Sequence, residues 1–250
     1  MPLPLDTPRR ILAVLPAFNE EASLAATIDE LRRTCPDVDV LVIDDGSADA
    51  TAQVARRSGA AVCQLPFNLG VGGAMRTGFR YAMRHDYDVV VQVDADGQHD
   101  PAYLGVLVAA LDHADVVVGA RFAGEGSYAA RGPRRWAMRL LAVTLSRLAH
   151  TRLTDVTSGF RAANRRAIRI FAAHYPAEYL GDTVESLVIA VRVGLVVRQQ
   201  PVSMRQRAGG TASQTPLRAA AYLARAMIAL AIALVRRWPT TLEPTPTEAL

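Results

Sequence analysis

The chain has 250 residues, half of them apolar, with a formal net charge of +4, two cysteines, and arginine at every one of its 28 basic positions. That length and apolar content fill a sizeable globular core and exclude a disordered, collagen-like or disulfide-scaffolded chain. Charge is spread along the sequence without a dense basic run interleaved with aromatics, so a nucleic-acid partner is not expected.

Cys35 and Cys63 lie far apart without metal-ligand spacing and read as free thiols of a reducing compartment. Met1 to Pro8 is short and proline-broken, unlike a signal peptide, so a cytoplasmic location is expected. Arg9 to Pro16 reads as a strand ended by proline, and Glu20 to Thr34 carries helical spacing through Leu24, Ile28 and Leu31. The pattern repeats as Asp39 to Ile43 then Ala48 to Ser58, Ala61 to Leu65 then Gly73 to Arg84, and Val89 to Val93 then Pro101 to Leu111, before a strand Asp115 to Gly119. Strands alternating with helices predict an α/β fold, a mostly parallel sheet with helices on both faces and ligands at the strands' carboxyl ends. The chemistry is therefore expected in the loops after Leu15, Ile43, Leu65 and Val93.

Beyond Gly119 come a polar stretch Gly124 to Pro133, a helix through Leu148, the run Asp155 to Arg161, a second helix pair, a strand Leu195 to Val202, and Arg207 to Thr211. These read as an acceptor side completing one domain over residues 9–212. Leu217 to Val235 is apolar except for Arg218 and Arg225, and at helical spacing these and Arg236 fall within about 20° of one another. A spanning helix would hold Arg225 near the bilayer middle at roughly +2.5 to 3.5 kcal/mol, so residues 216–238 are expected as an amphipathic helix lying in the membrane interface. A helix packed on the protein's own core or in a homodimer interface is the alternative. The Pro- and Thr-rich tail 239–250 is expected to be disordered.

The most informative stretch is Val89 to Asp100, in which an apolar strand delivers Asp94 and Asp96 at its carboxyl end. A turn at Gly97 lets Asp94, Asp96 and Gln98 converge on one point. Oxygen ligands of this kind suit Mg²⁺ or Mn²⁺ held by one or two carboxylates while substrate phosphates complete the shell. The motif thus points to a diphosphate-bearing substrate; a merely solvated βα loop is the alternative.

Three further loops accompany it: Pro16-Ala17-Phe18-Asn19-Glu20-Glu21, Asp44-Asp45-Gly46-Ser47-Ala48-Asp49, and Asn68-Leu69-Gly70-Val71-Gly72-Gly73. In this order, with Asp94 to His99, they resemble the family 2 inverting glycosyltransferases of the GT-A fold. The likeness runs from about Ile11 to Gly210 and is nearest the branch of dolichol-phosphate mannose synthases and bacterial polyprenyl-phosphate glycosyltransferases.

That resemblance implies a nucleotide diphosphate sugar as donor, with Pro16, Phe18, Glu20, Asp45, Asn68, Gly72 and Asp94 around the nucleotide. Phe18 would stack on the base, Glu20 and Asp45 would accept hydrogen bonds from base or ribose, and the glycines would let backbone amides approach a phosphate. Phe18 stands where close relatives often have tyrosine, which leaves the base open. Arg121 matches an arginine near the sugar diphosphate, and Arg134 or Arg135 a second phosphate-binding arginine. Asp155 and Ser158 belong to an Asp-x-x-Ser-Gly-Phe element that shapes the acceptor pocket. Asp182 and Glu185 fall where inverting relatives carry a catalytic carboxylate, which a hydroxyl acceptor needs and an ionised phosphate acceptor does not. The Gln-x-x-Arg-Trp element of processive synthases is absent, so a single transfer is expected. A soluble hydroxyl acceptor, and a non-catalytic nucleotide-sugar-binding or membrane-assembly subunit, are the alternatives to a polyprenyl phosphate acceptor.

Overall fold

The computed structural model describes residues 9–121, 133–176 and 182–205, with the backbone alone for Arg121 and for 133–138. The expected helix over 216–238, the tail 239–250 and the stretches 124–132 and 207–211 lie outside the described residues. Among the described residues, no helix is long and apolar enough to cross a membrane.

Among the described residues, seven strands form one sheet in the order β3-β2-β1-β4-β6-β5-β7. They are β1 (Ile11–Ala17), β2 (Val38–Asp44), β3 (Ala61–Gln64), β4 (Val89–Gln92), β5 (Val116–Arg121), β6 (Arg161–Asn164) and β7 (Val197–Val202). The helices are α1 (Leu24–Thr34), α2 (Thr51–Arg57), α3 (Gly70–Arg84), α4 (Leu104–Ala110), α5 (Pro133–Leu148), α6 (Arg165–His174) and α7 (Asp182–Arg192). Strand β1 pairs in parallel with both β2 and β4, and strand order reverses between those two neighbours. At such a switch point the flanking loops diverge and leave a crevice above the carboxyl ends.

Successive strand residues face opposite sides, and the two cores divide accordingly. Leu12, Val14, Leu41, Ile43 and Val90 pack with α3, α5, α6 and α7. Ala13, Leu15, Val40, Val42 and Val91 pack with α1, α2 and α4. Burial on both faces explains why these strands read as unbroken Val, Ile and Leu runs.

The expected α/β architecture is present, with one element added. Strand β6 lies antiparallel to both β4 and β5, with Gln92 opposite Arg161 and Val118 opposite Arg161. This insertion carries the segment before Arg161 to the end of β4, beside Asp94. Boundaries shift elsewhere for local reasons. The helix expected from Ala48 begins at Thr51, because Asp49 accepts the Thr51 N–H and hydroxyl and closes a turn there. The helix expected over Pro101 to Leu111 opens with a 3-10 turn at Pro101–Tyr103, where Asp100 accepts the Ala102 N–H at 3.0 Å.

Candidate active site

The loops after β1 and β2 are laced together. Asn19, in the left-handed region at φ 55°, donates its N–H to the Ser47 hydroxyl at 2.9 Å, and its Oδ1 accepts the Ala48 N–H at 2.9 Å. The Glu20 N–H bonds the Thr51 hydroxyl at 2.9 Å, and Glu21 accepts the Ala50 N–H at 2.8 Å. Glu21 is thereby committed to the scaffold. Glu20 faces the cleft, with the Ser23 hydroxyl donating to its Oε2 at 2.7 Å.

Phe18 is 46% exposed at the rim of a cleft of about 220 Å³ lined by Pro16, Ala17, Phe18, Glu20, Asp45, Val71, Asp94, Ala95 and Asp96. A large apolar ring left in water beside a polar cleft is suited to stacking on a planar ligand. A larger cleft, about 460 Å³, lies at the amino-terminal end of the strands around Arg32, Asp39, Tyr81 and Tyr87. Its polar groups pair with one another, Tyr87 donating to Asp39 at 2.8 Å and Arg32 to the Gly59 carbonyl at 2.8 Å. It lacks the convergent carboxylates of the smaller cleft.

Asp45 is buried and accepts the N–H groups of Leu69 at 2.7 Å and Gly70 at 2.8 Å. Desolvation raises its carboxyl above the ordinary range against the pull of those two amides, and neighbouring Asp44 adds to the rise. The Leu69 and Gly70 amides at the amino end of α3 are therefore capped by a side chain of the protein. Asn68 joins this cap through its Oδ1, which accepts the Gly70 N–H at 3.0 Å. Gly72 has a packing reason as well: a Cβ there would stand 2.2 Å from the Pro176 carbonyl oxygen and 3.1 Å from Asp182 Cβ. Its close approach is to the protein's own chain.

Beyond β4 the chain turns at Gly97, with φ +75°, and Asp96 Oδ1 accepts the Gln98 N–H at 3.0 Å. Asp96 is buried, Gln98 is half-buried, and both Asp94 and Asp96 line the cleft. Gln92 Nε2 lies 3.4 Å from Asp94 Oδ1. Behind Asp94, Gly159 leaves room that a Cβ would take at 2.9 Å from Gln92 Nε2 and 3.2 Å from Asp94 Oδ1. Four carboxylates, from Glu20, Asp45, Asp94 and Asp96, thus line the cleft, and its described lining holds no cationic side chain. Such a lining repels a bare diphosphate and suits a divalent cation bound together with one. Among the described residues, no three His, Cys, Asp or Glu side chains converge as a self-sufficient metal cage. Asp94 and Asp96 suit an ion whose remaining ligands come from substrate phosphate and water, while Gln98, the third expected ligand, is not part of the cleft's lining.

The acceptor-side residues come from a different part of the chain. Asp155 and Ser158 are buried; the Thr157 hydroxyl donates to Asp155 at 3.1 Å, and Ser158 Oγ accepts the Phe160 N–H at 3.3 Å. Buried Arg161 ties this loop to α7, donating to the carbonyls of Val156, Ser158 and Thr183 and to the Ser186 hydroxyl, at 2.7 to 2.9 Å. Asp182 opens α7 against Gly72, with Glu185 one turn on and half-buried. Desolvation raises the Asp182 carboxyl, the Asp94 charge adds to the rise, and Arg161 and the Thr183 N–H oppose it. Buried Tyr175, pushed up to about 12 chiefly by desolvation, adjoins the same charges.

Arg121 ends β5 opposite Val202, and Arg134 and Arg135 stand in the first turn of α5; their side chains lie outside the described residues. Gln92, His99, Gly159 and Arg161 are the members of this neighbourhood to which sequence reasoning gave no role. His99 and Arg161 were visible only as the last residues of motifs, without a signal separating them from ordinary loop residues.

The glycosyl transferase family 2 profile matches residues 12–171. An undecaprenyl-phosphate mannosyltransferase of Micrococcus luteus is 33% identical over 208 residues, covering 79% of this chain and 84% of that protein. A polyprenol monophosphomannose synthase of Mycolicibacterium smegmatis is 29% identical over 221 residues, covering 83% and 82%. In fold the chain is similar to glucosyl-3-phosphoglycerate synthase of Mycobacterium tuberculosis, crystallised with Mn²⁺, uridine diphosphate and glucosyl-3-phosphoglycerate. The TM-score is 0.69 at 24% identity, covering 94% of this chain and 89% of that one. With the switch-point cleft and its paired aspartates, these likenesses lead to one assignment: the chain belongs to glycosyl transferase family 2 and is a glycosyltransferase of the GT-A fold.

Proposed function

We propose that the enzyme moves a sugar from a nucleotide diphosphate sugar to a polyprenyl phosphate, with inversion, as a peripheral protein at the cytoplasmic face of a membrane. The observation that carries the donor half is the Asp94–Asp96 turn inside an acidic cleft rimmed by Phe18. The acceptor half is supported by the names of the two relatives, both of which act on polyprenyl substrates.

In this reading Phe18 stacks on the base, while Pro16, Glu20, Asp45, Asn68, Gly72 and Asp94 form the walls around nucleoside and ribose. Asp94, Asp96 and Gln98 hold Mg²⁺ or Mn²⁺, which when bound supplies positive charge to the departing diphosphate. Arg121, with Arg134 or Arg135, neutralises phosphate charge on donor and acceptor. An ionised phosphate acceptor attacks the anomeric carbon without losing a proton, so Asp155, Ser158, Asp182 and Glu185 orient groups around it. The domain spans 9–212, and the segment 216–238, which lies outside the described residues, is the part of the chain proposed to hold it at the membrane.

A hydroxyl acceptor is the second reading, favoured by one feature: Asp182 has a raised carboxyl on the side of Asp94, as a general base requires. Incubation with Mn²⁺, labelled nucleotide sugars and a short-chain polyprenyl phosphate separates the two. Label in the lipid extract supports the first; donor turnover with label only in water-soluble product supports the second.

A further inference from the structure

We propose that His99 is a positioning residue for the metal-binding carboxylate of Asp94, holding the first ligand of the Asp94–Asp96 pair in place from both its backbone and its side chain. This rests on the reading of that pair as the site of the divalent ion.

The His99 imidazole is 3% exposed and lies flat against Phe160, with ring centroids 4.7 Å apart and an interplanar angle of 13°. Its Nδ1 accepts the Asp94 N–H at 2.9 Å, which leaves the ring proton on Nε2. Nε2 in turn stands 3.4 Å from Asp94 Oδ2. One ring therefore fixes the turn that launches Asp94 and sets a positive dipole behind the carboxylate oxygen turned away from Gln92. The ring itself cannot swing. The backbone of His99 bridges to Met204, and Arg205 ties down both flanks, its N–H bonding the Gln98 carbonyl at 3.0 Å and its guanidinium reaching Asp100 at 3.0 Å.

Two carboxylates and an amide are few ligands, so their alignment before the ion arrives decides how much of its shell the protein supplies. Groups that orient a ligand from behind typically change metal affinity by 10- to 100-fold when removed. Asp94 is 36% exposed on its side chain and would otherwise sample several rotamers.

The test is Mn²⁺ binding followed by electron paramagnetic resonance, with UDP or GDP present, in wild type, Asp96→Ala, His99→Asn, His99→Gln and His99→Phe. His99→Asn keeps an acceptor for the Asp94 N–H, His99→Gln keeps a donor near Asp94 Oδ2, and His99→Phe keeps only the ring. Each single-function variant is expected to weaken Mn²⁺ binding by about 10-fold and His99→Phe by up to about 100-fold. If His99→Phe does not fold, the Asn and Gln variants decide. Wild-type affinity, within twofold, in both of them overturns the proposal, as does a lowered Tm with unchanged Mn²⁺ affinity of the folded fraction. Wild-type binding no tighter than that of Asp96→Ala would instead overturn the metal reading beneath it.

Discussion

The cleft concentrates negative charge on few side chains, and that makes single substitutions informative. Asp96→Ala removes one of the two carboxylates proposed to hold the ion, a group whose charge stabilisation is worth several kcal/mol. Transfer is expected to fall at least about 100-fold. Steady-state turnover beside a circular dichroism spectrum checks this, and near-normal activity in the folded variant contradicts the role. Asp182 separates the acceptor classes. With a phosphate acceptor, Asp182→Asn retains kcat within about 10-fold; with a hydroxyl acceptor that needs a base, the loss is about 100-fold or more.

Asp182 also makes a stability prediction. A carboxyl raised by burial favours folding when protonated; that contribution is whole below its unfolded pKa and is lost as pH rises through the folded value. Asp182→Asn is therefore expected to raise Tm near neutral pH, with the gain shrinking toward about pH 4. A gain independent of pH would show that desolvation of the charge is not its cause. At this scale the sequence displayed the aspartates that line the cleft, because paired aspartates after a strand are a local pattern. The residues behind them were illegible. Gly159 and Phe160 meet Asp94 and His99 only through folding, from some sixty positions along the chain.

Among the elements, the strand-helix alternation up to β5 was legible because β1, β2, β4 and β5 are buried on both faces and the helices between them show apolar residues at helical spacing. Strand β6 was not. Its four residues, Arg161-Ala162-Ala163-Asn164, have no β-branched or aromatic member, and pairing with β4 and β5 on both sides overrides that weak propensity. Arg161 then joins the acceptor-side loop to α7 by four hydrogen bonds. Arg161→Met would leave several buried acceptors unpaired, and a loss of roughly 2 to 5 kcal/mol is expected by denaturant unfolding. A loss under about 0.5 kcal/mol would mean that water or neighbouring donors replace it. The α3 amino terminus makes a similar case: Gly72→Ala drives a methyl into the Pro176 carbonyl, and a cost of about 1 to 3 kcal/mol is expected.

For the molecule as a whole, the sheet's reversal beside β1 opens the crevice, the antiparallel insertion of β6 brings the Asp155–Arg161 segment to it, and α7 begins at Asp182 against Gly72 of α3. The cleft-lining loops and the Asp155–Arg161 segment thus meet although they come from different halves of the chain. Fold class and family were legible because both lie in local motifs. The acceptor was not, because the groups that would recognise it are dispersed over Arg121, α5, Asp155, α7 and the carboxyl-terminal segment. The central claim is transfer to a polyprenyl phosphate, and the most direct measurement is a two-phase extraction of labelled sugar after incubation with Mn²⁺, a panel of nucleotide sugars and a short-chain polyprenyl phosphate. The account predicts label in the lipid phase, abolished by EDTA and by Asp96→Ala. Metal-dependent consumption of a donor with no labelled lipid would contradict it.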